Sequence, residues 1–344
     1  MTALTQAALY LGERIPWPDA VSQAAISALV ARTERQLSHR SGDDDRQFAE
    51  AMAAYPIASH TAEANAQHYE VPAAFFVLVL GPQRKYSSCL FERADSSLAD
   101  AEESALASTA EHAGLADGQR ILELGCGWGS LSLWMARRYP NATIVAVSNS
   151  SSQRAHIMSE AGKAGLVNLD VITADMNSFV PQGHFDRVVS VEMFEHIANW
   201  RPLLLTIRDC LHPDGRLFLH VFSHRSASYR FEVNDARDWI AQHFFSGGIM
   251  PSHCLIRQFP ELFSVEAEWR WNGRHYARTA QAWLANFDAH RAEVDAIFQR
   301  LYGDDARLWK RRWRLFFLAT MGLFGHAHGE AWGVSHYRLT PVRK

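Results

Sequence analysis

Strand-like and helical patterns alternate through the middle of the chain. Five short stretches have the apolar runs or polar–apolar alternation of strands, at residues 120–124, 143–148, 169–173, 185–191 and 216–222. Apolar residues recur at helical spacing between them, at residues 130–138, 152–164 and 200–210. This alternation predicts an α/β fold with a mainly parallel sheet, on which ligands bind beyond the carboxyl ends of the strands.

Longer helical patterns flank this alternation. Amphipathic helices are predicted at residues 18–40 and 46–52, interrupted by the run from Gly42 to Asp45, and another helix at 95–113 precedes the first strand. After the alternation, the pattern predicts a strand at 263–271, helices at 278–301 and 306–324, and a final strand at 333–339. The rhythm is lost at residues 224–258, which indicates either a lid inserted over the site or a helical elaboration that only fills out the core.

These patterns divide the chain into four parts. Residues 1–100 are predicted to form a helical cover, 101–223 the α/β core, 224–258 the lid, and 259–344 the rest of the core with helices beside a substrate pocket. Aromatic residues in the last two parts would line an apolar pocket or build the core: Phe231, Trp239, Phe244, Phe245, Trp271 and Trp283.

Composition narrows the functional classes. The formal net charge is −3 and the pI is about 6.6, so nothing favours nucleic acid as a partner. The four cysteines form no C-x-x-C pair and the N-terminal sequence has no signal-peptide pattern, which predicts a cytoplasmic protein without a disulfide framework. No apolar stretch is long enough to predict a membrane span. Peripheral lipid contact, and a monomeric or homodimeric state, stay open.

Three glycines follow the first predicted strand, in the sequence LELGCGWGS. Gly125, Gly127 and Gly129 lie between a strand and a helix, where free backbone N–H groups can hold a ligand. A dinucleotide site requires the spacing G-x-G-x-x-G, which this turn lacks, and Glu123 would repel a pyrophosphate. The same carboxylate would pair with a cationic ligand such as a sulfonium amino acid.

The run ILELGCGWGSLSLWMA resembles the nucleotide-binding turn of class I S-adenosylmethionine (SAM) methyltransferases. That resemblance implies a seven-stranded sheet with helices on both sides and SAM as the cofactor, which is converted to S-adenosylhomocysteine. In many members an acidic residue ends the second strand and holds the ribose. Here the second strand runs into SNSSSQ, which leaves the ribose to neutral groups, Asn149 and Gln153.

This loop is similar to the T/S-N-S-x-x-Q loop of the cyclopropane fatty acid synthase-like methyltransferases, and further segments resemble their coclaurine N-methyltransferase branch. QHYEVPAAFFVLVLGPQRKYSSCLF resembles the segment that folds over SAM, and VVSVEMFEHIANW the segment at the end of the fourth strand. FLHVFSH, FFSGGIMPS, WNGRHYARTAQAWL and GEAWGVSHYRL continue the resemblance, which covers roughly residues 60–344. It implies a small-molecule methyltransferase whose acceptor is the amine nitrogen of an aromatic or hydrophobic compound.

Position by position, the resemblance implies a set of SAM contacts. The methionine part would contact Tyr69, Tyr86 and Ser87 together with the glycine turn. The adenine would contact Met176 and Asp175, although an Asp at a strand end is also a common turn former. The complete predicted cofactor set is Tyr69, Tyr86, Ser87, Glu123, Gly125, Gly127, Asn149, Gln153, Asp175, Met176 and Glu192.

The sequence EMFEHI supplies the predicted catalytic pair. Glu195 and His196 match the residues with which the N-methyltransferase branch holds and deprotonates its amine, and a helix-capping Glu beside a packed His is the alternative. The cyclopropane synthases instead hold a bicarbonate with a Cys, a Glu, a His and a Tyr. Glu195, His220 and Tyr276 match three of these positions, whereas Ser88 stands where the Cys is expected.

Other functions fit parts of the sequence. Lipid alkylation with bound bicarbonate is the second enzymatic hypothesis, and a SAM-binding protein without turnover is the third. The glycine spacing disfavours a dinucleotide oxidoreductase. The histidines lack zinc-motif spacing, so no metal site is predicted, and the basic run at 308–317 predicts an amphipathic helix rather than a nucleic-acid surface.

Overall fold

The computed structural model describes residues 17–38, 42–59, 71–231, 244, 245 and 247–343, together with Ile15. Two residues named above, Tyr69 and Trp239, lie outside the described residues, as does most of the helical pattern in the predicted lid. No helix in the described ranges is long and apolar enough to cross a membrane.

A central sheet organises the described chain. The strands are β1 Arg120–Leu124, β2 Thr143–Ser148, β3 Leu169–Thr173, β4 Phe185–Val191, β5 Leu211–His224, β6 Tyr229–Arg230, β7 Ile249–Met250, β8 Phe263–Asn272 and β9 Trp332–Pro341. Seven of them form one sheet in the order β3-β2-β1-β4-β5-β9-β8, and β6 pairs with β7. β1 to β5 are parallel, whereas β9 runs antiparallel to its neighbours β5 and β8. The predicted seven-stranded class I sheet is therefore confirmed.

Helices cover both faces of this sheet. They are α1 Asp19–Leu37, α2 Gly42–Ala51, α3 Ala73–Val79, α4 Leu98–Ala113, α5 Ser130–Arg138, α6 Ser151–Lys163, α7 Trp200–Cys210, α8 Arg274–Ala289, α9 Arg291–Tyr302 and α10 Ala306–Gly325. α4, α5 and α6 bury one face, around Ile121 and Phe218, and α7 buries the opposite face, around Leu122. α3, α8, α9 and α10 form a separate aromatic cluster around Trp313.

Among the predicted boundaries that were wrong, three have a clear local description. The run that starts at Gly42 is the first turn of α2 rather than an interruption, and acidic residues are favourable at a helix N-terminus. α4 begins at Leu98, not at 95, because the Ser97 side chain accepts from the Asp100 N–H while Asp100 accepts from the Ser97 N–H, which is a capping box. The single helix predicted at 278–301 is two helices that meet at His290.

The basic run lies on α10, as the amphipathic pattern predicted. Its apolar side is buried through Trp313 and Phe317. On the polar side, Arg314 pairs with Asp19 and Asp288. The Arg314 charge is therefore paired with the protein's own carboxylates.

Candidate active site

The glycine turn connects β1 to α5, and all three glycines have left-handed backbone, with φ of +80°, +52° and +81°. A Cβ on Gly125 would lie 2.5 Å from Met193, and one on Gly129 would lie 2.6 Å from Ile157. A Cβ on Gly127 would meet no atom of the described residues within 4 Å. The first and third glycines are thus required for packing, and the middle one borders open space.

A cavity of about 1600 Å³, including the open solvent at its mouth, lies at the carboxyl ends of β1 to β4. The described members of the predicted cofactor set all line it: Tyr86, Ser87, Glu123, Gly125, Gly127, Asn149, Gln153, Asp175, Met176 and Glu192. Two predicted catalytic residues, His196 and Tyr276, line it as well, whereas Glu195 and His220 do not. The cavity therefore lies at the carboxyl ends of the parallel strands, where the topology predicted a ligand.

Glu123 is a buried carboxyl group on the floor of this cavity. It accepts a hydrogen bond from Ser132 Oγ at 2.5 Å, and its residue is 2% exposed. Burial raises the pKa of Glu123 to about 7, against the opposing effect of the Ser132 hydroxyl. A cationic group placed beside it would restore the carboxylate and pair with it.

Polar side chains after β2 and β3 hold their own loops in addition to lining the cavity. Gln153 Oε1 accepts from Ser148 Oγ at 2.6 Å, which fixes the end of β2 against α6. Asp175 Oδ1 accepts from the backbone N–H of Asn177 at 2.8 Å. Asp175 thus forms the turn that its residue type favours, while its position on the cavity wall leaves the adenine contact a prediction.

Glu192 is the centre of a hydrogen-bonded group at the end of β4. Its Oε1 accepts from the backbone N–H of Ser88 at 2.9 Å and lies 3.1 Å from His220 Nε2, and its Oε2 accepts from Tyr276 Oη at 2.7 Å. The residue has φ of +50°, a left-handed conformation that costs a non-glycine residue energy and that commonly marks functional sites. Burial raises the pKa of Glu192, and nearby Lys85 with the Ser88 and Tyr276 donors opposes that rise.

Glu195 and His196 occupy different environments. Glu195 is fully buried, and its Oε1 accepts from the backbone N–H of Phe222 at 2.6 Å, whereas Oε2 has no hydrogen-bond partner among the described residues. Burial and the neighbouring Glu192 raise the pKa of Glu195 well above its ordinary value. His196 faces the cavity and stacks on Phe245, with ring centroids 4.9 Å apart and planes at 10°.

Lys85 is a site residue that sequence reasoning missed. Its Nζ donates to Ser87 Oγ at 2.5 Å and to the Ser88 carbonyl at 2.7 Å, and the residue is 2% exposed. It therefore holds the loop that presents the Ser88 N–H to Glu192. Burial lowers the pKa of Lys85, and Cys89, Glu192 and Glu102 oppose this. A lysine in KYSSC has the composition of a surface loop, so no sequence signal could have found it.

The lining suits a ligand that combines a cationic amino acid with a flat apolar part. Glu123 can pair with the ammonium group, and Ser130 Oγ is buried with no partner among the described residues. Met176 and Ile197 supply apolar wall. SAM has this combination, so the residues present fit it. Within the ranges that the structure covers, no three His, Cys, Asp or Glu side chains are arranged to hold a metal ion.

Comparisons with known proteins agree with this geometry. The chain matches the mycolic acid cyclopropane synthetase family over residues 58–327. It is 35% identical over 285 residues to the (S)-coclaurine N-methyltransferase of Thalictrum flavum subsp. glaucum, which covers 81% of this chain and 79% of the relative. A crystal structure of coclaurine N-methyltransferase bound to N-methylheliamine and S-adenosylhomocysteine has a TM-score of 0.92 at 31% identity and covers 98% of both chains.

A cyclopropane synthase of Mycobacterium tuberculosis, MmaA2, shows the same fold at greater distance. Its TM-score is 0.68 at 24% identity, over 82% of this chain and 99% of the synthase. The resemblance to the coclaurine N-methyltransferase branch is therefore confirmed, and SAM is the cofactor that the match implies. The chain belongs to the mycolic acid cyclopropane synthetase family and is a SAM-dependent methyltransferase.

Proposed function

We propose that the enzyme transfers the methyl group of SAM to the amine nitrogen of a hydrophobic aromatic compound, with Glu192 as the base. The proposal rests on the groups that surround the Glu192 carboxylate. Ser88, His220 and Tyr276 contact it, and these are three of the positions that the resemblance assigned to a bicarbonate in the cyclopropane synthases. A carboxylate of the chain stands among them, so the base is built in.

The base is needed because a protonated amine has no lone pair with which to attack a methyl group. SAM, when bound, supplies a methyl group that is already electrophilic. Glu192 lines the cavity, and its raised pKa lies closer to the neutral range in which a general base is effective. Its three hydrogen bonds fix the carboxylate in one orientation, and positioning of the reacting groups can supply much of the acceleration.

Other cavity residues would hold the cofactor and assist the base. Glu123 would pair with the ammonium group of SAM, Asn149 would hold the ribose, and Met176 would contact the adenine. His196 lines the same cavity as Glu192. Glu192 lines the cavity, whereas Glu195 does not. The role of Glu195 in deprotonation therefore stays a prediction.

The acceptor class follows from the wall and from the relatives. Phe222, Phe245 and Phe316 line the cavity, and aromatic faces attract a cationic amine. The relatives matched include N-methyltransferases, and one was crystallised with N-methylheliamine. A small-molecule amine is therefore the proposed partner. We place the enzyme in the cytoplasm, where its four free cysteines would stay reduced.

The test uses heliamine, the amine that lacks the methyl group of N-methylheliamine, and measures its gain of a methyl group by mass spectrometry. Glu192→Gln should lower the first-turnover rate at least 100-fold while the SAM dissociation constant stays within a few-fold. Glu195→Gln is the matched control and should lower the rate much less. If Glu195→Gln alone stops methyl transfer, the base is Glu195. If no hydrophobic amine is methylated, the acceptor class is wrong.

A second variant tests whether the three donors around Glu192 can hold a carboxylate-like anion. Glu192→Gly leaves the three donors without a carboxylate, and glycine suits the left-handed backbone at φ of +50°. Added bicarbonate or formate should then restore part of the methyl transfer in Glu192→Gly and none in Glu192→Gln, whose side chain still fills the place. The unsubstituted enzyme should be indifferent to bicarbonate. A strict bicarbonate requirement of the unsubstituted enzyme would contradict the proposal.

A further inference from the structure

Three imidazole rings continue the hydrogen bonding that begins at Glu192. His220 Nε2 contacts Glu192, and His220 Nδ1 lies 2.9 Å from His336 Nε2. His336 Nδ1 lies 2.8 Å from His112 Nδ1. We call His220, His336 and His112 the histidine row. The row lies on the sheet face that α4, α5 and α6 cover.

Strand pairing and one helix place the row. His220 on β5 is paired with His336 on β9, and His336 is paired with Trp269 on the edge strand β8. His112, near the end of α4, stacks on Trp269 with ring centroids 3.8 Å apart and planes at 5°. The row therefore crosses from the active site towards the edge of the sheet, where His112 is partly exposed.

Burial keeps the two inner rings neutral. His220 and His336 are both 0% exposed, and burial lowers the pKa of each well below its ordinary value. A neutral imidazole carries one donor nitrogen and one acceptor nitrogen. Because every nitrogen of these two rings has a partner in the row or on Glu192, the tautomer of one ring dictates that of the next.

We propose that His112 is a positioning residue for methyl transfer, which donates from Nδ1 to His336 and thereby fixes the tautomer in which His220 donates to the Glu192 carboxylate. In that arrangement His336 donates from Nε2 to His220 Nδ1, and His220 donates from Nε2 to Glu192. No proton has to travel along the row. The inference rests on the proposed function, because it assumes that Glu192 is the base.

The opposite tautomers would switch the base off. If His220 carried its proton on Nδ1, the lone pair of Nε2 would face Glu192, and only a protonated Glu192 could donate to it. Without a donor at position 112, nothing at the outer end of the histidine row favours one set of tautomers over the other. The carboxylate then loses a fixed donor, and its pKa rises.

Two substitutions separate this role from simple packing. His112→Phe keeps a ring that can stack on Trp269 and removes the donor. His112→Asn removes the ring but keeps an amide group, whose Nδ2 can donate near the original Nδ1. His212→Phe is the matched control, since His212 is partly exposed and stacks on His184 at the other end of β5, with centroids 5.6 Å apart.

The readout is the pH dependence of kcat/KM for heliamine at saturating SAM. His112→Phe should move the acid limb upwards by about one pH unit, the effect of losing one hydrogen bond to the charged form. His112→Asn and His212→Phe should keep the original limb. The other titratable groups that face the two ends of the row are unchanged in every variant: Lys85, Glu195, His196 and Tyr276 at Glu192, and Glu111 and Arg338 at His112. An unmoved limb in His112→Phe, or an equal shift in His112→Asn, overturns the proposal.

A second readout needs no acceptor and keeps the two proposals separable. Carbon-13 NMR of glutamate-labelled protein follows the titration of the Glu192 carboxyl, assigned by its loss in Glu192→Gln. The pKa of Glu192 should rise by about one unit in His112→Phe and not in His112→Asn, and its failure to rise overturns the role of His112. Methyl transfer that survives Glu192→Gln contradicts the proposed role of Glu192 as the base. In that case the NMR titration still tests whether His112 affects the pKa of Glu192.

Discussion

Replacing Glu123 by Gln should make the enzyme more stable at alkaline pH while weakening SAM binding. The Glu123 carboxyl is buried on the cavity floor, and its pKa is raised from 4.5 to about 7 in the folded chain. The folded state therefore holds this proton more tightly than the unfolded chain does. The contribution of Glu123 to stability is fully present below pH 4.5 and is lost as pH rises through 7.

The magnitude follows from the two pKa values. A rise of about 2.5 pH units corresponds to about 3 kcal/mol in the free energy of unfolding at pH 8, and about 2.5 kcal/mol of this develops between pH 5 and pH 8. A glutamine has no charge to lose and can still accept from Ser132. The stability difference between Glu123→Gln and the unsubstituted enzyme should therefore move by about 2.5 kcal/mol in favour of the variant over this pH range.

Urea unfolding without SAM, at pH 5, 6, 7 and 8, measures this difference, and calorimetric titration with SAM at pH 8 measures the loss of affinity, which should exceed tenfold. Ser132→Ala is an internal check, since it removes the hydroxyl that lowers the pKa of Glu123 and should steepen the pH dependence. A stability difference that is the same at pH 5 and pH 8 would show that the pKa of Glu123 is not raised in the folded chain. SAM affinity that the Gln substitution leaves unchanged would show that Glu123 does not pair with the cofactor.

Four further substitutions have definite expected outcomes. Gly129→Ala should cost at least 2 kcal/mol of stability in urea unfolding, because φ is +81° and the new Cβ would clash with Ile157. Gly127→Ala should lose less stability but should bind SAM more weakly, since its Cβ enters the cavity. Ser97→Ala should cost about 1 kcal/mol by removing the capping box of α4, again measured by urea unfolding. Tyr276→Phe should move the acid limb of kcat/KM to higher pH, because the phenol that stabilises ionised Glu192 is lost; an unmoved limb would mean that this hydrogen bond does not affect the base.

The order of the elements was predictable because buried strands leave a clear pattern. β1 to β4 begin and end at the predicted residues, since apolar runs in a parallel sheet are bounded by polar or turn-forming residues. The break between α8 and α9 was not predictable, because His290 is neither Gly nor Pro and the apolar periodicity continues across it. The length of β5 was underestimated, since its first residues include Pro213, Asp214 and Gly215, which are unfavourable in strands.

The cofactor half of the site was easier to predict than the catalytic half. The glycine turn lies within a few residues of chain, and its chemistry follows from residue types. The contacts of Glu192 come from Ser88, His220 and Tyr276, which are far apart in sequence, and one of them is a backbone N–H that any residue would carry. The carboxylate belonged to the predicted cofactor set, and only the assembled fold shows which groups surround it.

The backbone conformation of Glu192 is one reason why the surroundings of this carboxylate could not be predicted from the sequence. Glu192 follows β4 with φ of +50°, and this turn brings its carboxylate among the donors on β5, α8 and the loop after α3. Those donors suit any carboxylate-like anion, so the same pocket can accept an ion from solution or a side chain of the chain itself. A side chain is held at high effective concentration and needs no binding step, but its pKa is then set by burial and by neighbours such as Lys85. If Glu192 is the base, as proposed, the identity of the residue after β4 decides whether this site takes its base from the chain or from solution.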